Sequence, residues 1–281
     1  MAAAPWRRHF DFTLHTKEAH SMKNIVRRLL LFVSLTSALI ASPAAFALNY
    51  FELEVYPYRT ASRGEVEIEN FTTHTSRGTK DATPPDDNAH LTRSTFEISY
   101  GVTDKTEIAY YRDYARPSGG NFEYAASRYH VRTRFYEKGE LPVDLGAYLE
   151  LEYPERVAGE ERAVEGELRF ILEKDFGRWT WDFNPIFERA IKGPERPEGW
   201  ELHYAMSFIY RPSEYWQPRL DFFGDFGPIR NFEPRDEQKH LISPAADFFL
   251  GHGLSATVGA AFGLTDGTER RLLRARLEWE F

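Results

Sequence analysis

The chain has 281 residues, a formal net charge of −8, 15% aromatic residues and no cysteine. The acidic balance excludes a nucleic-acid partner, which requires clustered Lys and Arg, and the lack of thiols excludes disulfides and thiolate metal sites. A mean hydropathy of −0.52, with no long apolar window after Ala47, excludes a helical membrane protein but not a membrane barrel, whose strands show lipid only every other residue.

Residues 1–21 carry no lasting periodicity and read as an extension upstream of the true start. Met22 then opens a basic stretch (Lys23, Arg27, Arg28), an apolar run from Leu29 to Ile40 and a small-x-small site at Ala45-Phe46-Ala47. This order predicts a secretory signal peptide over 22–47, its apolar run too short to span a bilayer as a helix. Six of the 35 basic and two of the 43 acidic residues precede Leu48, so 29 and 41 remain, a net charge of −12 for the exported part. Residues 48–62, interrupted by Pro57, read as a lead-in tucked into the periplasmic mouth of the domain that begins at residue 63.

From residue 63 onward, apolar and charged residues alternate in about a dozen runs. Strand one sets Glu65, Glu67 and Glu69 against Val66 and Ile68, and strand two shows Phe96, Ile98 and Tyr100. Strand three carries Ile108 and Tyr110. Strand four sets Tyr129, Val131, Thr133 and Phe135 against Arg128, His130, Arg132 and Arg134. Strand five opposes Leu145, Ala147, Leu149 and Leu151 to Asp144, Tyr148, Glu150 and Glu152; strand six opposes Leu168, Phe170 and Leu172 to Glu165, Glu167 and Arg169. Strands seven to eleven show Trp179 to Phe187, Leu202 to Tyr210, Leu220 to Phe226, Ile242 to Phe248 and Leu254 to Phe262. The terminal strand places Leu273, Ala275, Leu277, Trp279 and Phe281 opposite Arg274, Arg276, Glu278 and Glu280.

Period two puts each set on its own face. Long or Pro-rich connections (76–89, 155–161, 191–199, 229–237) alternate with shorter ones (102–105, 138–141, 175–177, 211–215, 249–253). The expectation is an all-β fold, a closed antiparallel transmembrane barrel of about 12 strands over 63–281, each strand near the ~10 residues a tilted membrane strand needs. A soluble barrel or sandwich with one buried face is the alternative.

A final strand ending on Trp279 and Phe281 with no polar tail resembles the way bacterial outer-membrane barrels finish, the signature read by the outer-membrane insertion machinery. The resemblance implies export through the periplasm to the outer membrane of a Gram-negative cell, with the lipid bilayer and that machinery as partners. The lead-in Glu52-Leu53-Glu54-Val55-Tyr56-Pro57-Tyr58 and the turn Tyr100-Gly101-Val102-Thr103-Asp104-Lys105 are similar to outer-membrane proteins grouped with meta-pathway phenol-degradation transporters. That likeness implies passage of small, aromatic molecules and assigns no residue to a substrate.

With lipid outside, the charged face lines the lumen. Arg128, His130, Arg132 and Arg134 form a basic row, and Glu150, Glu152, Glu165 and Glu167 an acidic one on the next two strands, within cross-strand reach. Arg274 and Arg276 of the last strand are expected to meet the acidic first strand where the barrel closes. These are the selectivity candidates of a passive channel or transporter for small solutes. Alternatively, they are ion-pair ladders filling a closed structural barrel that acts through its loops, since about a dozen strands lies between filled and open barrels. The carboxylates offer Ca²⁺ oxygen ligands without EF-hand spacing; no metal site, cofactor or catalytic residue is assigned. His74-Thr75-Ser76 resembles the His-x-Ser pair of outer-membrane lipid hydrolases, but Arg77 stands where Asn usually follows, and His74 reads as a solvated strand-end residue.

Overall fold

The computed structural model describes residues 49–80, 88–154, 163–193 and 196–281. The proposed upstream extension, the signal peptide, Leu48 and the whole 155–161 connection lie outside the described residues. Twelve strands form one closed antiparallel barrel: β1 (Val66–Arg77), β2 (Thr92–Gly101), β3 (Thr106–Arg116), β4 (Glu123–Arg134), β5 (Asp144–Pro154), β6 (Val164–Phe176), β7 (Trp179–Lys192), β8 (Glu201–Tyr210), β9 (Trp216–Pro228), β10 (Lys239–Gly251), β11 (Leu254–Gly263) and β12 (Arg271–Glu280). Each strand pairs with its sequence neighbours, and β1 closes on β12 with Ile68 opposite Trp279. Closure leaves no edge with unpaired backbone groups, which a hydrocarbon environment does not tolerate.

The alternation sorts cleanly. Phe96, Ile98, Ile108, Tyr129, Val131, Leu149, Phe170, Trp179, Phe208, Val258, Leu273, Leu277, Trp279 and Phe281 are all exposed on the outside. An apolar surface this continuous lies far beyond the patches that monomeric proteins show to water, and it calls for lipid. The inward positions are buried and mostly polar or charged. The connections after β2, β6, β8 and β10 are short, whereas those after β1, β5, β7 and β9 are long. The β4–β5 connection is the exception: it runs over 135–143, longer than the expected 138–141, and its Tyr136 carbonyl accepts from the Tyr58 hydroxyl inside the barrel.

That inner chain is residues 49–62. Placed by sequence at the periplasmic mouth, residues 50–58 instead lie within the lumen and are almost entirely buried. At the long-loop end Tyr50 lies under the Arg93 guanidinium, and its hydroxyl accepts the Glu269 N–H at 3.4 Å. At the short-turn end Arg59 reaches Glu280 (2.6 Å) and Glu65 (2.9 Å). The segment therefore runs the length of the barrel. Where it turns into β1, Ser62 passes directly over Gly101; a Cβ there would stand 1.8 Å from the Ser62 carbonyl oxygen. The hydrogen bonds Gly64 N–H to Gly101 O (2.8 Å) and Gly101 N–H to Glu65 O (3.0 Å) fasten this crossing. Gly101→Ala is expected to loosen it and speed tryptic cleavage after Arg63; an unchanged cleavage rate would show that the crossing does not need glycine.

Candidate functional site: the occupied lumen

The inner segment is extended, so its side chains alternate, and the lumen has two walls to receive them. Leu53 and Val55 pack, with Tyr50, on Ile186, Ala205, Phe223, Leu241, Ala261 and Leu272. These inward apolar residues form a stripe across β7–β12, with Ala205, Phe223 and Leu241 successive register partners and Ala261 opposite Leu272. Burying a Leu or Val in such a stripe contributes roughly 1.5–3 kcal/mol. The alternate residues Glu52, Glu54, Tyr56 and Tyr58 face charged and aromatic partners.

Glu52 accepts from Arg128 Nη1 at 2.6 Å and from the Tyr56 hydroxyl. Glu54 lies 3.6 Å from Arg276. The Tyr56 ring is in contact with the guanidinium groups of Arg132 and Arg169, each 4.8 Å from its centroid, and with Tyr148 at 5.0 Å. Its hydroxyl is 2.7 Å from that of Tyr111, which is in turn 2.5 Å from His130 Nδ1. Polar groups also take the segment's backbone. The Tyr56 N–H donates to Asn184 Oδ1 (2.8 Å), the Tyr58 N–H to Glu173 (2.7 Å) and the Ala61 N–H to Glu107 (2.5 Å); Arg274 donates to the Leu53 carbonyl. The segment forms no strand pairing with the barrel. Buried backbone groups need partners, and here lumen side chains supply them where Pro57 removes one donor.

The candidate residues all face inward, but their pairing differs from expectation. Arg128, 1% exposed, forks onto Asp113 of β3 (2.9 and 3.2 Å) and reaches Glu52, with Glu150 of β5 farther off at 3.4 Å. Arg132 (2.7 Å) and His130 (3.4 Å) both meet Glu107 of β3. The basic row thus looks mainly to β3 and the inner segment, and its tie to the expected acidic cluster on β5 and β6 is the longer Arg128–Glu150 contact. Arg134 is half-buried at the short-turn rim, donating to the Asp104 carbonyl (2.6 Å). At the same rim, outside the spanning strands, burial works against the Lys138 charge, yet Glu173 and Asp175 hold its ammonium above the usual range.

Arg276 does meet β1, 3.4 Å from Glu69. Arg274 turns away from β1 and contacts Asp221 of β9. Asp113 and Asp221, central to these networks, carry no sequence signal beyond their parity in the alternation, whereas Glu107 is legible as an inward acid of β3 and Tyr56 stands in the 52–58 stretch. Trp279 and Phe281 are outward, exposed and in contact, with centroids 5.1 Å apart.

The acidic residues line up across strands. Glu150 is the register partner of Glu167, Glu167 of Glu188, and Glu188 of Glu201, while Glu152 faces Glu165. Only part of this charge is offset nearby, as by Arg169 on Glu167 at 2.8 Å. Like charges directly opposite repel, so the row is relieved by a cation or by a proton held between neighbouring carboxylates. His74 forms no catalytic pair: its Nδ1 is 3.0 Å from Thr92 Oγ1, while Ser76 Oγ accepts from Arg271 Nε (2.8 Å) and donates to the Arg271 carbonyl (3.0 Å).

No family model and no curated protein matches the sequence. Among solved structures, an outer-membrane channel from Pseudomonas putida F1 is similar at TM-score 0.60 and 14% identity, over 81% of this chain and 100% of that one. The KdgM porin is similar at TM-score 0.50 and 8% identity, over 76% of this chain and 99% of that one. The fold is that of a bacterial outer-membrane barrel. At these identities the likeness extends to architecture alone.

Proposed function

We propose that the chain is an outer-membrane conduit for small solutes in which residues 49–62 act as the gate. The observation that carries this reading is that the segment fills the lumen without belonging to the wall: the twelve-stranded ring is complete without it. It is held by ion pairs, aromatic contacts and side-chain hydrogen bonds, which can be released without breaking a strand ladder. The basic residues Arg128, Arg132 and Arg276 hold the gate when it is shut, and they become wall charges when it leaves. Withdrawal of Tyr56 opens a niche lined by Tyr111, His130 and Tyr148, with the Arg132 and Arg169 guanidiniums beside it. Such a niche suits a small aromatic solute bearing a hydroxyl or carboxylate, the class implied by the resemblance of segments 52–58 and 100–105.

A second reading, a closed barrel with a permanent pillar, draws on the same buried network, since three carboxylates converge on Arg128. Planar-bilayer recording separates the two. The chain starting at Leu48 is expected to pass current only in brief openings, and a barrel starting at Arg63 to pass it steadily. A shortened barrel that still shifts its gel mobility on heating, as folded barrels do, yet passes no current, would sink the gated conduit.

A further inference from the structure

We propose that Glu201, His203 and Asp225 form a binding site for a zinc-class dication inside the long-loop end of the barrel. His203 is 3% exposed, and its Nε2 has no hydrogen-bond partner. That nitrogen points between two carboxylates, with Glu201 Oε2 and Asp225 Oδ1 each 3.5 Å away. The separation is too long for a good hydrogen bond. It is the spacing of co-ligands: metal bonds of about 2.0–2.2 Å to nitrogen and oxygen set tetrahedral ligands roughly 3.4 Å apart. All three ligand atoms lie within 4.8 Å of one another.

The surroundings fit the same reading. The other imidazole nitrogen, Nδ1, faces Glu188 Oε2 at 3.5 Å, which puts a carboxylate behind the ring where a small closing movement would give the carboxylate–histidine pair of metal sites. Asp225 Oδ1 also accepts the Gly227 N–H at 2.7 Å, which fixes the carboxylate and leaves a lone pair for a metal. Lys239 lies 3.6 Å from the other oxygen, Oδ2, outside the three-ligand face. The acidic row from Glu150 through Glu167 and Glu188 ends at Glu201 and supplies the attracting field. An imidazole with two carboxylates favours a borderline dication over Ca²⁺ or Mg²⁺, which take oxygen ligands. The second acidic cluster, Glu67, Glu278 and Glu280, differs in kind, because Arg59 already reaches Glu67 (3.2 Å) and Glu280 (2.6 Å) there.

The test is Zn²⁺ titration of the detergent-folded barrel, prepared without a histidine tag and followed by calorimetry. Parallel Co²⁺ loading is read by its visible d–d bands. The expected result is one tight Zn²⁺ per barrel, competed by Co²⁺ with the intense bands of four-coordination. Glu188→Gln should weaken binding about 10- to 100-fold, and His203→Gln should abolish the tight phase while the barrel keeps its heat-dependent gel shift. If His203→Gln does not fold, the Co²⁺ spectrum of the unaltered chain decides alone: weak, six-coordinate bands overturn the proposal. Equal affinity in a folded His203→Gln barrel would assign the binding to surface carboxylates or to the exposed histidines and would overturn it as well.

Discussion

Replacing Arg128 with Met is expected to lower the stability of the barrel by about 3–5 kcal/mol, the cost of removing one member of a buried ion network and leaving its partners charged. Three carboxylates, Asp113, Glu52 and Glu150, share this guanidinium, which also lies 4.3 Å above the Tyr111 ring. The side chain is nearly inaccessible, so water cannot take its place without opening the lumen. The effect is read as the urea midpoint at which the folded gel band disappears. Arg134→Met, at the half-buried rim, should leave that midpoint in place. Adding Glu52→Gln and Asp113→Asn to Arg128→Met should recover part of the loss, because the penalty lies in the stranded charges. An unchanged midpoint in Arg128→Met would mean that the carboxylates are not charged, or not desolvated, around it.

The second large effect is on selectivity. Once residues 49–62 are removed, the current is expected to be carried mainly by cations. The register-matched row Glu150, Glu167, Glu188 and Glu201 puts four carboxylates on one wall of the lumen against two nearby arginines, Arg128 and Arg169, and rings or rows of carboxylates set cation preference in pores. Arg132→Glu should push the reversal potential further toward the cation limit by adding an acid beside Glu107. Glu167→Gln with Glu188→Gln should pull it back. A reversal potential near zero in the opened barrel, insensitive to all three substitutions, would show that the row does not face the permeation path.

The wall of this barrel is legible in the sequence because period two is a local property. Each run such as Tyr129-His130-Val131-Arg132 declares its two faces without reference to any other strand. Height along the lumen is not local, and there parity alone misleads. Parity puts Arg128 inside, but register and side-chain reach decide that it binds Asp113 and Glu52 ahead of Glu150, its neighbour on β5. The lumen plug has a signature that alternation alone does not interpret. Phe222-Phe223, Leu241-Ile242, Ala260-Ala261 and Leu272-Leu273 are adjacent apolar pairs, which means that both faces of those strands are apolar at one level. An oily inner face in a barrel has to be covered, and Leu53 and Val55 are what cover it. Pro57 correctly speaks against a wall strand in the lead-in; it does not speak against a thread. The Glu201, His203 and Asp225 cluster draws on two strands and is visible only once β8 is laid beside β9.

The passage of residues 50–58 through a ring hydrogen-bonded on every side also constrains the order of assembly. Once Ile68 has paired with Trp279, nothing can enter the lumen sideways; a late arrival would have to be threaded lengthwise, dragging Glu52 and Glu54 past the acidic row. Closing the β1–β12 seam over a segment already laid on the sheet avoids that passage. In the closed barrel Leu53 and Val55 lie on the inner stripe of β7–β12, while Glu52 and Tyr56 meet the arginines of β4 and β6. One thread thus ties opposite walls of the lumen together, although the ring of strands closes without it.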